Sequence, residues 1–363
     1  MRKKIAALLA IIIITIIPIL VLEGALRLAF GFPHGSFNFL LSAKDGLYPR
    51  NENIVMEYGF RPYRVITNSY GMRSKEIRFE KTPGVKRVVA LGDSVTDGYF
   101  VDNDQTYPFF LEGILTEDGY KAEVLSVARG GGSIDKELAL LKVIAPLKPD
   151  IVVLTFVTND IWEIMGKDRR EILNMKFRTK SVPEWFLTKA AIGELVGDIK
   201  LKMKYKNYKL SGREKKYPAG DLDLDRLGRK YDENAALFKN TTAKYEGRIL
   251  NEPFSGDTEK AVSDYLAALD EMNRFCGSHD IKLVMTYFPS YSQVYDLNTT
   301  MKMRDILKAE CEKASVPFCD LTEAFRREGR GRVLYFAPFD FHCNGEGNRL
   351  IAGEVAGSIE KYL

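Results

Sequence analysis

The stretch Arg87–Phe100, RVVALGDSVTDGYF, joins an apolar run to a pair of short polar residues. The run Val88–Leu91 is typical of a buried strand, and Gly92 ends it. In open α/β sheets, ligands and reacting groups usually lie at the carboxyl ends of the strands. Ser94 follows such an end within two residues, so it is a candidate nucleophile.

Strand-like and helical segments alternate along the chain from Lys86 onward. Helical spacing of apolar residues is clearest at Val262, Leu269 and Met272, which share one face, and it recurs in the last helix. This alternation predicts an α/β fold in which helices cover both faces of a five-stranded parallel sheet. The predicted strands are Arg87–Leu91, Ala122–Val127, Asp150–Val157, Ile281–Phe288 and Val316–Leu321.

The N-terminus has the features of a membrane anchor. Met1–Lys4 is basic, and the uncharged run Ile5–Leu22 is long enough to span a bilayer, which takes about 20 residues of helix. No A-x-A cleavage pattern follows the run, which favours a retained anchor over a cleaved signal peptide. The basic residues before it predict a single-pass membrane protein with a cytoplasmic N-terminus and an extracytoplasmic remainder.

Three regions follow from these patterns. Residues 1–30 form the cytoplasmic tip and transmembrane anchor, residues 31–85 an irregular leader that packs on the main domain, and residues 86–363 the main domain. A basic insertion at about 161–257 interrupts the main domain, and Glu163–Tyr217 within it holds fifteen Lys or Arg against seven Asp or Glu. The insertion follows the third strand and is expected to cap the site. It suits contact with anionic lipid or an acidic glycan, and equally a solvated surface.

Composition narrows the class of protein. The net charge is only +4 over 363 residues, and no zinc-finger or helix-turn-helix pattern occurs, which argues against nucleic acid as a partner. The four cysteines, Cys276, Cys311, Cys319 and Cys343, lack the spacing of a metal site. Disulfides between them are compatible with an extracytoplasmic domain, and four buried thiols are the alternative.

A serine nucleophile needs a nearby base, and the chain contains three histidines. His34 follows the anchor within a few residues, and His279 precedes a strand, at the edge of the sheet away from Ser94. His342, in the segment APFDFHCNGEG before the last helix, is therefore the candidate base. Asp340, two residues upstream, is close enough to hold the imidazole in the required tautomer.

Acyl transfer also requires hydrogen-bond donors for the developing oxyanion. Gly130–Gly132 follow the second strand and permit close approach of the backbone, although a tight turn explains them equally well. Asn159, after the third strand, offers a side-chain amide, with a helix cap as the alternative, and Asp160 is expected to fix its loop. The glycines do not match the nucleotide-binding pattern G-x-G-x-x-G, because Asp135 stands at its last position.

Four ordered blocks, Gly-Asp-Ser, the glycine loop, Thr-Asn-Asp and Asp-x-His, each follow a strand or precede the last helix. Together they resemble the SGNH (GDSL-type) hydrolase superfamily, from about Lys86 to the C-terminus without the insertion. Asn68–Arg73 is also similar to the approach segment of membrane-anchored bacterial members. The resemblance implies a three-layer α/β/α sandwich of flavodoxin type and a serine esterase that requires no metal or cofactor.

The resemblance also implies roles for individual residues. Ser94 is the nucleophile, His342 the base and then the acid, and Asp340 the residue that orients His342. The oxyanion hole is formed by the backbone N–H groups of Ser94 and Gly131 and the side chain of Asn159, with support from Asp93 and Asp160.

The sequence departs from the common family pattern at three places. Ser126 stands where many relatives have asparagine, and Val157 where a glycine often precedes Thr-Asn-Asp. Only one residue separates Asp340 from His342, where two are more common. The first two changes are expected to alter the surroundings of the acyl pocket, and the third puts the orienting role of Asp340 in question.

Export across a membrane predicts a substrate in the cell envelope. The preferred interpretation is a hydrolase or transferase of O-acyl groups, O-acetyl above all, on an envelope or exported glycan. A lipid ester, as in a lysophospholipase-like enzyme, is the alternative substrate. The alternative class is a non-catalytic envelope protein that binds carbohydrate or serves as a scaffold, and the intact Ser94, Asn159 and His342 argue against it.

Overall fold

The centre of the protein is a sheet of five parallel strands. The computed structural model describes residues 47–56, 62–164, 249–250, 252–337 and 340–363, and the single positions 18 and 21. Within these ranges, the strands of the sheet are β3 Lys86–Gly92, β4 Ala122–Ala128, β5 Ile151–Phe156, β6 Lys282–Tyr287 and β7 Phe318–Asp320. Their order in the sheet is β4-β3-β5-β6-β7, and each adjacent pair is parallel. The predicted parallel α/β sheet is thus confirmed.

The central strands are apolar because both of their faces are covered. Every residue of β5 is buried, as expected for a parallel sheet with helices on each side. Side chains alternate between the two faces: Val89 and Leu91 belong to one apolar core, and Val88 and Ala90 to the other. The strand register pairs Gly92 with Ala128, so the loops after β3 and β4 leave the sheet at the same edge.

Helices pack on both faces of the sheet. The α-helices of the described ranges are α1 Ser94–Asp97, α2 Tyr107–Glu117, α3 Ile134–Ile144, α4 Asn159–Ile164, α5 Gly256–Gly277, α6 Tyr291–Tyr295, α7 Lys302–Lys313, α8 Thr322–Glu328 and α9 Gly345–Ile359. Apolar residues of α3, α5 and α7 fill the first core, and those of α2 and α9 fill the second. The helical face predicted from Val262, Leu269 and Met272 is buried in α5.

The leader contains two β-strands that its sequence pattern does not predict. Although the region is expected to be irregular, β1 Asn53–Met56 and β2 Tyr63–Ile66 form an antiparallel pair. Their buried and exposed residues alternate, but four residues are too few for this period to stand out in a sequence. The buried side chains of both strands pack with Tyr48 and Phe100 in a third apolar cluster, which connects the leader to the segment after α1.

Two buried arginines attach the leader to the main domain. Arg73 donates from Nη1 to the carbonyls of Asp97 (2.6 Å) and Gly98 (3.0 Å), at the end of α1. Arg87, in β3, donates from Nη2 to the carbonyl of Arg78 at 2.8 Å and from Nε to Glu123 at 2.6 Å. The leader is therefore hydrogen-bonded directly to the strand and helix on either side of Ser94.

Several expectations fall outside the described residues. The anchor Ile5–Leu22, His34 and the central part of the basic insertion are among them. In the ranges that are described, no helix combines the length and the apolar character needed to cross a membrane. The four cysteines are free and buried, which corresponds to the thiol alternative.

The buried position of Arg87 gives a test of how the leader is held. Arg87→Met is expected to lower the free energy of unfolding by about 3 kcal/mol, because it leaves carbonyl oxygens without their donor and Glu123 without its partner. Urea unfolding followed by circular dichroism measures the change. Arg274→Met is the control, since its exposed pair with Asp270 is worth less than about 1 kcal/mol. Equal losses in the two variants would contradict this account.

Candidate active site

Ser94 is presented by a sharp turn from β3 into α1. A side chain at Gly92 is excluded there, because a Cβ atom would lie 2.3 Å from Oγ1 of Thr96. Asp93 caps the short helix and accepts a hydrogen bond at Oδ1 from the backbone N–H of Val95 at 3.0 Å. The turn places Ser94 at the carboxyl edge of the sheet, partly exposed.

The structure brings Ser94, His342 and Asp340 together. The Nε2 atom of His342 lies 2.7 Å from the Ser94 Oγ, and its Nδ1 atom forms a short hydrogen bond to Oδ1 of Asp340. Because a carboxylate can only accept a hydrogen bond, Nδ1 carries the proton and donates it to Asp340, and Nε2 is left to accept from the serine hydroxyl. A spacing of one residue therefore suffices for Asp340 to reach the imidazole.

Asp340 and His342 shift one another's pKa in opposite directions. Burial alone would lower the pKa of His342. The charge and hydrogen bond of Asp340, with smaller effects of Asp93 and Asp97, outweigh burial and raise that pKa above its ordinary value. Burial would raise the pKa of Asp340, and the interaction with His342 outweighs it and lowers that pKa. The pair thus favours an ionised carboxylate beside an imidazole that accepts a proton readily.

Asn159 lies beside Ser94, held by Asp93. Its Nδ2 donates to Oδ2 of Asp93 at 2.9 Å, and the Ser94 hydroxyl lies 3.2 Å from the same oxygen. An amide nitrogen carries two hydrogens, so the second remains to serve a ligand. Asp93 therefore holds two parts of the site in position: the start of α1 and the side-chain amide of Asn159.

Asp160 shapes the loop after β5. Its Oδ2 accepts from the backbone N–H of Val157 at 3.1 Å, and its own N–H donates to the carbonyl of Val157 at 3.0 Å. Burial is the main cause of its pKa being raised well above the ordinary value, and Glu137 and Asp93 add to the effect. Asp160 thus closes the turn that leads into α4.

The glycine loop follows β4 at the same edge of the sheet. Gly131 has a φ of 71°, a left-handed conformation that favours glycine. At Gly130 a Cβ atom would lie 2.1 Å from the hydroxyl oxygen of Tyr99, so a side chain at this position would displace the phenol. The donor role of Gly131 stays a prediction.

Buried ionisable groups near Ser94 were not anticipated from the sequence. Asp97, at the end of α1, accepts from the hydroxyl of Tyr48 and lies 3.8 Å from Arg73. Burial raises its pKa to about 6, despite the opposing effects of Arg73 and Tyr48. Glu137, in α3, is also buried, and burial is the main cause of its strongly raised pKa. The burial of these two residues could not be predicted from the sequence, because charged residues in helices usually face solvent.

His279, the other histidine within the described residues, lies away from Ser94. His279 stacks on Phe275 at the end of α5, with ring centroids 4.2 Å apart, just before β6 and thus at the amino edge of the sheet. Over the described ranges, no group of three or more His, Cys, Asp or Glu side chains is arranged to hold a metal ion.

Several solved structures are similar to this chain at low sequence identity. TesA is 12% identical over 77% of this chain and 100% of that chain, with a TM-score of 0.44. The acetyl xylan esterase AlAXEase is 13% identical over 75% and 99%, with a TM-score of 0.41. The lipase/acylhydrolase from Enterococcus faecalis is 13% identical over 76% and 96%, with a TM-score of 0.41. Identities this low concern the fold and carry no information on substrate.

The parallel sheet and the serine–histidine pair at its carboxyl edge are those of a serine hydrolase of the α/β class. The model of the GDSL-like lipase/acylhydrolase family matches residues 90–350, and the chain belongs to that family. The membership predicted from the sequence is confirmed, and with it an enzyme that acts on ester bonds. The chain has no significant match among curated proteins.

The raised pKa of His342 gives a test with a defined sign. Asp340→Asn removes the charge that raises this pKa, so the titration midpoint of His342 is expected to move to lower pH than in the wild type. NMR of the imidazole signals measures it, and with three histidines in the chain the signal is assigned by His342→Asn. The His279 signal, from the opposite edge of the sheet, should be the same in both proteins. An unchanged or higher midpoint for His342 would contradict the assignment.

Proposed function

We propose that the protein is a serine esterase in which Ser94 is the nucleophile, His342 the general base and Asp340 its orienting acid. The observation that supports this most is the 2.7 Å contact between Ser94 Oγ and His342 Nε2, with Asp340 on the other ring nitrogen. Proton transfer requires a contact of this length. The side chains of His342 and Asp340 are 21% and 20% exposed, so solvent and substrate reach the pair.

In the proposed reaction, Ser94 Oγ attacks the acyl carbon of an ester while its proton passes to Nε2 of His342. The tetrahedral intermediate collapses, and the imidazolium gives this proton to the oxygen of the departing alcohol. Water then attacks the acyl carbon of the acyl-serine and loses a proton to Nε2 of His342. The second tetrahedral intermediate collapses with cleavage of its bond to Ser94 Oγ, which takes that proton back from the imidazolium, and the carboxylic acid is released. Asp340 stabilises the imidazolium in both halves of the cycle.

The oxyanion would be stabilised by three donors. The free hydrogen of the Asn159 amide is one, held in place by the bond from the same nitrogen to Asp93. The backbone N–H groups of Ser94 and Gly131 are the others. Each such donor is typically worth about 3 kcal/mol of barrier, so the loss of Asn159 would slow the reaction by about two orders of magnitude.

For the substrate, we infer O-acetyl groups on an envelope or exported glycan. The predicted anchor Ile5–Leu22 supports this, because it would place the site outside the cytoplasm and next to the envelope. The basic charge of the insertion supports binding of an acidic glycan. Transfer of the acetyl group to glycan, rather than to water, would use the same three residues.

A lipid ester is the second candidate. An apolar anchor followed by a basic segment would keep the site near anionic headgroups, where such substrates are found. A non-catalytic carbohydrate-binding or scaffold role is the candidate of a different class. The hydrogen-bonded arrangement of Ser94, His342 and Asp340 is evidence against that role, since simple binding does not need it.

Removal of one hydroxyl tests this proposal. Ser94→Ala is expected to reduce hydrolysis of p-nitrophenyl acetate by at least about 1,000-fold, because the covalent intermediate cannot form. Ser278→Ala is the matched control: it removes a hydroxyl beside His279, at the opposite edge of the sheet, and should retain full activity.

The same proteins distinguish the substrates. Acetate released from an acetylated glycan and fatty acid released from lysophospholipid are measured in parallel, and the proposal predicts Ser94-dependent acetate release as the faster reaction. Faster release of fatty acid would favour the lipid alternative. Unchanged hydrolysis of both esters by Ser94→Ala would refute the enzymatic mechanism.

A further inference from the structure

The chain turns sharply after α1, and the turn includes an aromatic residue in an unusual conformation. Phe100 has a φ of 66°, a left-handed value that is rare and strained for a bulky residue. The ring is 2% exposed and packs edge-to-face on Tyr63 of the leader at 5.8 Å. Such strain persists where the surroundings fix the conformation and is often found at functional sites.

Phe100 and its neighbour Tyr99 both contact the imidazole of His342. The Tyr99 ring is stacked on the imidazole, with centroids 5.3 Å apart and an interplanar angle of 28°. Phe100 meets the imidazole at 5.6 Å and 75°. Asp340 fixes the edge of the imidazole by a hydrogen bond, while these two rings restrict the plane in which it lies.

Tyr99 also contacts the glycine loop. A Cβ atom at Gly130 would lie 2.1 Å from the Tyr99 hydroxyl oxygen and 2.4 Å from Cζ, so the phenol end of Tyr99 lies directly against the Gly130 backbone. Gly131, the predicted oxyanion donor, is the next residue. One side chain therefore touches the imidazole at its ring and the glycine loop at its hydroxyl end.

We propose that Tyr99 is a positioning residue that sets the separation between the imidazole of His342 and the glycine loop. This inference rests on the proposed esterase function. In that reaction, the proton acceptor and the oxyanion donors must lie on two sides of one tetrahedral carbon. A misplacement of about 1 Å can cost about 100-fold in rate. The face of the Tyr99 ring would also stabilise the imidazolium that forms when Ser94 attacks.

Two variants of the full-length protein separate the parts of this role. Tyr99→Phe keeps the ring and should remain within about 3-fold of wild-type kcat for p-nitrophenyl acetate. Tyr99→Leu removes the stacking ring and should lower kcat by about 10- to 100-fold with little change in KM, because the groups it misplaces act on the transition state and not on the bound ester. It should also move the acid limb of the kcat/KM profile to lower pH, since the imidazolium loses its aromatic neighbour.

Gly130→Ala provides an independent test through a double-mutant cycle. The new methyl group would push the phenol away, so the substitution should cost at least about 10-fold in kcat when Tyr99 is present. In the Tyr99→Leu background, the clashing atoms are gone and the same substitution should cost less than about 3-fold. Tyr120→Leu is the matched control, because Tyr120 bonds to Glu360 beyond the amino edge of the sheet, and its activity should equal that of the wild type.

The outcomes distinguish this inference from the proposed function. Rates are expressed per reactive serine, titrated with a fluorophosphonate, so that a misfolded fraction does not count as lost activity. Tyr99→Leu with wild-type kcat and pH profile would overturn the positioning role, as would equal costs of Gly130→Ala in both backgrounds. In either case, if Ser94→Ala abolishes activity, the proposal that the protein is a serine esterase still stands.

Discussion

The hydrogen bond between Ser94 and His342 joins residues 248 positions apart in the chain, and the rest of the site depends on it. Parallel strands make this possible, because their carboxyl ends share one edge of the sheet. Ser94 follows β3 and Asn159 follows the adjacent β5, so these two become neighbours through strand pairing alone. His342 reaches the same edge from the loop before α9. That helix is fixed to α2 by Asn348, whose Oδ1 accepts from the N–H of Tyr107 at 3.2 Å.

Two carboxyl groups beneath this edge, those of Glu137 and Asp160, are buried. Within the described ranges, neither side-chain oxygen of Glu137 has a hydrogen-bond partner, nor does Oδ1 of Asp160. Burial raises the pKa of both groups well above ordinary values, which favours their neutral forms. Neutral carboxyl groups below Ser94 would repel a developing oxyanion less than carboxylates at the same positions would. The buried acids are thus compatible with the proposed chemistry, although each costs stability.

Sequence patterns predicted the sheet, and they predicted which short polar segments lie at its carboxyl edge, because both follow from local rules. Apolar runs marked the strands, and the order of short polar blocks marked their carboxyl ends. The role of the leader could not be predicted this way, because its contacts are long-range: Tyr63 packs on Phe100, and Arg73 bonds to the end of α1. The left-handed conformation of Phe100 likewise has no local signal, since the packing around it determines the backbone. The sequence gives no indication of a role for Tyr99, because its contact with His342 forms only in the folded protein.

The most direct test of the serine–histidine pair is to identify the residue that an organophosphate modifies in the full-length protein. After reaction with a fluorophosphonate, peptide mass spectrometry should find the adduct on Ser94. The rate of modification should fall by at least about 100-fold in His342→Ala, because the hydroxyl loses its base. An adduct on another serine, or an equal rate in His342→Ala, would contradict the account.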